Sequence, residues 1–188
     1  MQRIGADRRK RIIVESLFIL LLGLIVLLDQ LAKHYFATNF EYKEVRTVID
    51  GFFYFTYHRN PGAAWSFLAG VSWAQTFFKV MTIIALLAFV FFYIYSIKNK
   101  YNWLKVGLLF AIGGTIGNFI DRLVMGEVID FLGFIFWDYY FPIFNIADSF
   151  LVVGTIMMLI HLLFLDKEAI FKKKWCKIKY LKLLIMTI

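Results

Sequence analysis

The chain has 188 residues, of which 61% are hydrophobic, 20% aromatic and only 18% charged. Soluble domains average about 45–50% apolar and about 25% charged residues, so a soluble globular enzyme is excluded, as is a disordered or collagen-like chain. The formal charge of +8 invites nucleic acid or anionic lipid as a partner, and the single cysteine, Cys176, excludes an intramolecular disulfide or a multi-cysteine metal site.

In chain order, four apolar runs stand out, over about 12–28, 71–97, 103–120 and 141–165. Each has the length needed to cross a hydrocarbon core of about 30 Å, and no recurring ten-residue alternation of the kind a transmembrane barrel requires is present. The N-terminus has a basic start followed by an apolar run, but Asp29-Gln30-Leu31-Ala32-Lys33 follows where a small-x-small cleavage site would stand, so the run reads as an uncleaved first span. The expected fold is an all-α membrane protein of four transmembrane helices. The outer loop 34–70, rich in Phe, Tyr and Thr around Thr47–Tyr57, is expected to add a small β-rich surface subdomain that covers the site and clamps the substrate. Residues 1–165 make the membrane domain and 166–188 a basic tail.

Lys and Arg set the orientation. Arg3, Arg8, Arg9, Lys10 and Arg11 precede the first run with one acid, Asp7, and Lys98, Lys100 and Lys105 lie at the second turn with none. Seven lysines from Lys167 to Lys182 follow the fourth run with only Asp166 and Glu168. If all four runs cross, these segments share one side, which places both termini in the cytoplasm and the acidic loop 125–140 outside. Basic residues that flank spans are topogenic, so nucleic acid is not an expected partner. The tail, with Phe171, Trp175 and Tyr180, is expected to lie on the anionic inner leaflet of the bilayer.

Ionisable groups inside or bordering spans are expensive and mark candidate sites. Asp29 and Lys33 end the first run four residues apart, Asn118 and Asp121 end the third with Arg122 next, and Asn145 and Asp148 share a face one to two turns into the fourth. Asp130 falls in the short loop between the last two runs. All converge on the outer leaflet. Asp29–Lys33 and Asp121–Arg122 also fit interfacial ion pairs, whereas Asp148 has no adjacent base. Two carboxyls brought together in a low-dielectric site share one proton, so that one activates water and the other serves a carbonyl and then a leaving amine. His34, His58 and His161 are scattered and give no metal-ligand set, and Ser66 and Ser149 lack activating neighbours. The residues alone point to an outer-face aspartyl hydrolase. A proton- or cation-binding transport component using Asp121, Asp130 and Asp148 as a relay is the alternative.

The motifs resemble those of the lipoprotein signal peptidases, signal peptidase II of bacteria. The blocks are Asp29-Gln30-x-x-Lys33, then Asn60-x-Gly62-Ala63-Ala64-Trp65-Ser66, then Gly113-Gly114-x-x-Gly117-Asn118-x-x-Asp121-Arg122, continuing through Gly126-x-Val128-x-Asp130-Phe131, and finally Phe144-Asn145-x-Ala147-Asp148. The resemblance implies Asp130 and Asp148 as the catalytic pair, with Asp121 structural and paired to Arg122 or its neighbours. It implies supporting or lining roles for Asp29, Lys33, Asn60, Gly62, Ala63, Asn118, Arg122 and Asn145. It further implies diacylglyceryl-modified prolipoprotein substrates cut just before the modified cysteine, no metal or other cofactor, location in the bacterial cytoplasmic membrane, and inhibition by the cyclic peptide globomycin. Trp65 stands where the family usually has Phe, and nothing beyond about Leu165 takes part in the resemblance.

Overall fold

The computed structural model describes residues 2–62 and 71–166. It contains four helices, α1 (Gln2–Asn39), α2 (Ala74–Asn99), α3 (Asn102–Val124) and α4 (Ile146–Ile160), the last continued by a π-helical turn over His161–Leu165. Taken from Ile12 in α1 and through Leu165 in α4, each is long and apolar enough to cross a membrane. Strands β1 (Val45–Ile49), β2 (Phe53–Asn60), β3 (Val128–Phe136) and β4 (Tyr139–Tyr140) pair antiparallel in that order.

The bundle is built around α3. In its most apolar stretch 61% of residues are buried, against 6% in α2 and 11% in α1 and α4, whose remaining surface is left to lipid. Lipid tails are as apolar as leucine, so close backbone approach rather than hydrophobic collapse holds such helices together. Glycines supply it. A Cβ on Gly113 would lie 2.9 Å from Ile25 of α1, and one on Gly154 of α4 would lie 2.5 Å from the Gly107 carbonyl.

The sheet joins the two loops at one end of the bundle. Phe36 and Phe40 at the end of α1 pack with Tyr57, Ile129 and Phe131, and the Phe36 and Phe131 rings stack at 4.3 Å. Phe55 pairs with Leu132 but His58 pairs with Asp130, so β2 carries one extra residue between them. The adjacent Thr56 and Tyr57 are both buried, as a bulge there allows. The insertion matters for the site. Beyond it Asn60 pairs with Val128 and shares a face with Asp130, whereas an unbroken register would turn Asn60 to the opposite face.

Three boundaries differ from the sequence reading. The first helix continues past the apolar run 12–28 to Asn39, into the segment read as outer loop. Hydropathy falls there because Asp29 and Lys33 are buried in the bundle, not because the helix ends. The sheet takes β1 and β2 from the first loop as expected, but Asp130 lies on β3 rather than in a loop, so the second connection supplies half of the sheet. The fourth helix starts at Ile146, not 141, because the Leu132 and Phe144 backbones hydrogen-bond to each other and Asn145 caps the helix.

Candidate active site

Four carboxylates meet where α1, α3, β3 and α4 converge. Asp29 and Lys33 come from α1, Asn118 and Asp121 from α3, Asp130 from β3, and Asn145 with Asp148 from the start of α4. Asp29, Lys33, Asp121, Asp130 and Asn145 are each at most 2% exposed, whereas Asp148 is only partly buried.

Lys33 organises one half of the cluster. Its ammonium lies 2.8 Å from Asp29 Oδ2, 2.8 Å from Asp121 Oδ2 and 2.9 Å from Asn118 Oδ1, which uses all three of its donors. The remaining oxygens are also engaged. Asp29 Oδ1 accepts the Ala147 amide at 2.8 Å, one of the orphan donors of the α4 N-terminus. Asp121 accepts from Gln30 at 2.9 Å and from the Ile129 amide at 3.2 Å, which ties α3 to β3.

Asp130 and Asp148 are treated differently, because amide groups rather than a cation face them. Asn118 Oδ1 accepts from Lys33, so its Nδ2 is left to donate to Asp148 Oδ1 at 2.7 Å. Asn145 Oδ1 accepts the Asp148 amide at 2.8 Å, and its Nδ2 donates to Asp130 Oδ1 at 2.7 Å. Asn60 Oδ1 accepts the Gly62 amide at 3.0 Å, and its Nδ2 donates to Asp130 Oδ2 at 3.0 Å. Each amide is thus oriented by its oxygen, with its donor end on one of these two carboxylates. The Asn145–Asp148 pair forms a capping box, with Asp148 Oδ2 accepting the Asn145 amide at 3.2 Å, which fixes the Asp148 rotamer. Burial, and then the charge of Asp148, push the Asp130 carboxyl up to about 7.

Asn60, Asn118 and Asn145 all contact the Asp130–Asp148 pair directly, and Asp29, Lys33 and Asp121 form an ion-paired unit behind it. The expected pairing of Asp121 with Arg122 is not made. Asp121 turns inward to Lys33, while Arg122 donates to the Gly62 carbonyl at 3.1 Å and lies over the Phe78 ring of α2. Gly62 is therefore held at the edge of the site, and Ala63 falls outside the described residues. Sequence reasoning quoted Gln30 in a motif without assigning it to the site. Its place three residues before Lys33, on the same helical face, was the available signal.

The geometry has counterparts. The family described as signal peptidase (SPase) II matches residues 21–164. The lipoprotein signal peptidase of Bacillus pumilus is 45% identical over 144 residues, 77% of this chain and 90% of that protein. Those of Bacillus velezensis and Staphylococcus aureus are each 44% identical, covering 79% and 77% of this chain and 94% and 86% of their own. Two solved structures described as bacterial membrane enzymes superpose with TM-scores of 0.70 and 0.69 at 43% and 42% identity. Each alignment covers 79% of this chain, with 88% and 94% of the respective structures. The chain therefore belongs to the signal peptidase II family and is a multi-pass membrane peptidase.

Proposed function

We propose that this protein removes signal peptides from prolipoproteins, cutting just before the diacylglyceryl-modified cysteine, with Asp130 and Asp148 as an aspartic pair. The observation that carries this reading is the division of labour among four acids. Asp29 and Asp121 share an ion pair with Lys33, whereas Asp130 and Asp148 meet oriented amide donors and, among the described residues, no cation within hydrogen-bond distance. Near neutral pH such a pair holds one proton between its members.

The ionised member takes a proton from water as the water oxygen attacks the scissile carbonyl. The protonated member hydrogen-bonds the carbonyl oxygen, then supplies the proton with which the amine of the lipid-bearing cysteine leaves. The products are a signal peptide ending in a carboxylate and a lipoprotein beginning with a free amine. Asn60, Asn118 and Asn145 hold the two carboxyls in place through both proton transfers, and they cost no reorganisation because their own oxygens are already engaged. Lys33, with no free donor, acts through Asn118.

The basic flanks place both termini in the cytoplasm and the sheet and site at the outer leaflet of the cytoplasmic membrane. Residues 1–165 carry the peptidase, and the lysine-rich segment 166–188, read as a basic tail, lies outside the described residues apart from Asp166. Globomycin competes for the same site. The test is incubation of purified protein in detergent with a diacylglyceryl-modified prolipoprotein, with both products weighed by mass spectrometry. Masses that fix the cut before the modified cysteine, with competitive inhibition by globomycin, support the reading. An intact substrate after incubation with folded protein, or proton flux in proteoliposomes with no cleavage, contradicts it.

A further inference from the structure

At the end of the bundle opposite the site lies a second polar cluster, buried at Lys105 and partly exposed at Glu15 and Tyr93, that the cleavage chemistry does not use. Lys105 of α3 is 6% exposed, and its Nζ lies 3.0 Å from Glu15 Oε1 of α1 and 4.2 Å from the centre of the Phe18 ring. Tyr93 of α2 donates its hydroxyl to the other oxygen, Glu15 Oε2, at 3.0 Å. One carboxylate thus ties together three of the four helices, α1, α2 and α3.

Two features give this cluster a role beyond local stability. Residues that meet between α1 and α3 keep a nearly constant separation along the chain. It is 90 for Glu15 and Lys105, 87 for Gln30 and Gly117, and 85 for Lys33 and Asn118. The helices therefore run parallel and side by side, and a shift at one end is felt at the other. Moreover, only 11% and 6% of the most apolar stretches of α1 and α2 are buried, so few interlocking contacts fix where along α3 they sit. Buried ionic groups rarely add net stability, and fixing register is their best-attested use.

We infer that Glu15, Lys105 and Tyr93 are positioning residues: they lock α1, and through it α2, in register with α3, so that Lys33 arrives at Asn118 and Asp121. Glu15 lies 18 residues, about 27 Å of helix, from Lys33. A slip well under one turn breaks the ammonium contacts, frees the Asn118 amide to rotate and loosens the Asp148 carboxyl. This rests on the proposed catalytic pair for its kinetic readout, but its structural readout does not.

The test uses the full-length protein with Cys176→Ser as background and spin labels on cysteines replacing the lipid-facing Leu31 and Leu123. Distances between them are compared for the unmodified lock, Glu15→Gln, Lys105→Met and the exchanged pair Glu15→Lys with Lys105→Glu. In parallel, unlabelled versions give kcat and KM per folded molecule. The lock predicts a shifted or broadened distance distribution in each single variant and about tenfold lower kcat at nearly constant KM. It also predicts recovery of both in the exchanged pair. Tyr93→Phe, which keeps the ion pair, gives a smaller change in the same direction. Unchanged distances in the single variants overturn the inference, whatever the enzyme cleaves. So does lowered thermal stability with unchanged kcat, which is the mark of a merely stabilising pair. If the distances shift and recover as expected while the wild type cleaves nothing, the register lock stands and the catalytic reading fails.

Discussion

Asp130 is a carboxyl that the fold makes costly to ionise, and this separates its contribution to stability from its contribution to chemistry. Its folded value of about 7 lies above the ordinary 3.8, so the protonated form is the one the fold favours. That stability is fully present below about pH 4 and is lost as pH rises through about 7. Asp130→Asn keeps the shape without the charge. The expected outcome is a protein more stable than wild type at pH 8, by on the order of 2–4 kcal/mol at most and seen as a higher melting temperature, a difference that vanishes at pH 4. Cleavage is abolished at both. Lys33 behaves in the opposite way. Lys33→Met leaves Asp29 and Asp121 buried without their cation, and a stability loss of about 3–5 kcal/mol is expected in thermal melts.

At the scale of elements, the site depends on how closely α1, α3 and α4 approach and on one bulge. A Cβ on Gly117 would lie 2.6 Å from Asp29 Oδ2 and 3.0 Å from the Ala147 Cβ. Gly117→Ala is therefore expected to push Asp29 off the α4 N-terminus, costing about 1–3 kcal/mol and lowering kcat. Gly23→Ala is the control, because a Cβ there meets nothing within 4 Å. Asn60→Ala removes the donor that the bulge brings to Asp130 Oδ2 and should reduce kcat with little effect on helix content by circular dichroism.

The elements also show what was legible beforehand. The apolar runs located the four helices, and the spacings of Asp29 with Lys33 and of Asn145 with Asp148 gave two true contacts. Helix α1 outran its hydropathy because its last turns bury a polar network. Strand β3 was hidden because Val128-Ile129-Asp130-Phe131 is buried continuously, so period-two alternation is missing. Lys33 was read as a partner for Asp29 alone. Its second partner, Asp121, is 88 residues away along the chain, a separation no local pattern can reveal.

At the scale of the whole molecule, charge distribution and site position make one joint statement about topology. The proposed topology, with the basic flanks inside, puts the β3–β4 hairpin around the exposed Asp138 outside and the α2–α3 turn at Lys100 in the cytoplasm. In intact cells carrying the Cys176→Ser protein, a cysteine at position 138 should react with an impermeant maleimide. One at position 100 should react only after the membrane is opened. The reverse pattern would put the site on the wrong side for the proposed substrate.

Among four converging carboxylates, Asp130 and Asp148 are the pair proposed to activate water. The most direct measurement is turnover of a diacylglyceryl-modified prolipoprotein at matched amounts of folded wild type, Asp130→Asn, Asp148→Asn and Asp121→Asn. No turnover is expected from Asp130→Asn or Asp148→Asn, and partial activity from Asp121→Asn, where Lys33 still pairs with Asp29. Retained turnover in Asp130→Asn, with loss in Asp121→Asn, would contradict this assignment and move the pair to Asp121 and Asp148.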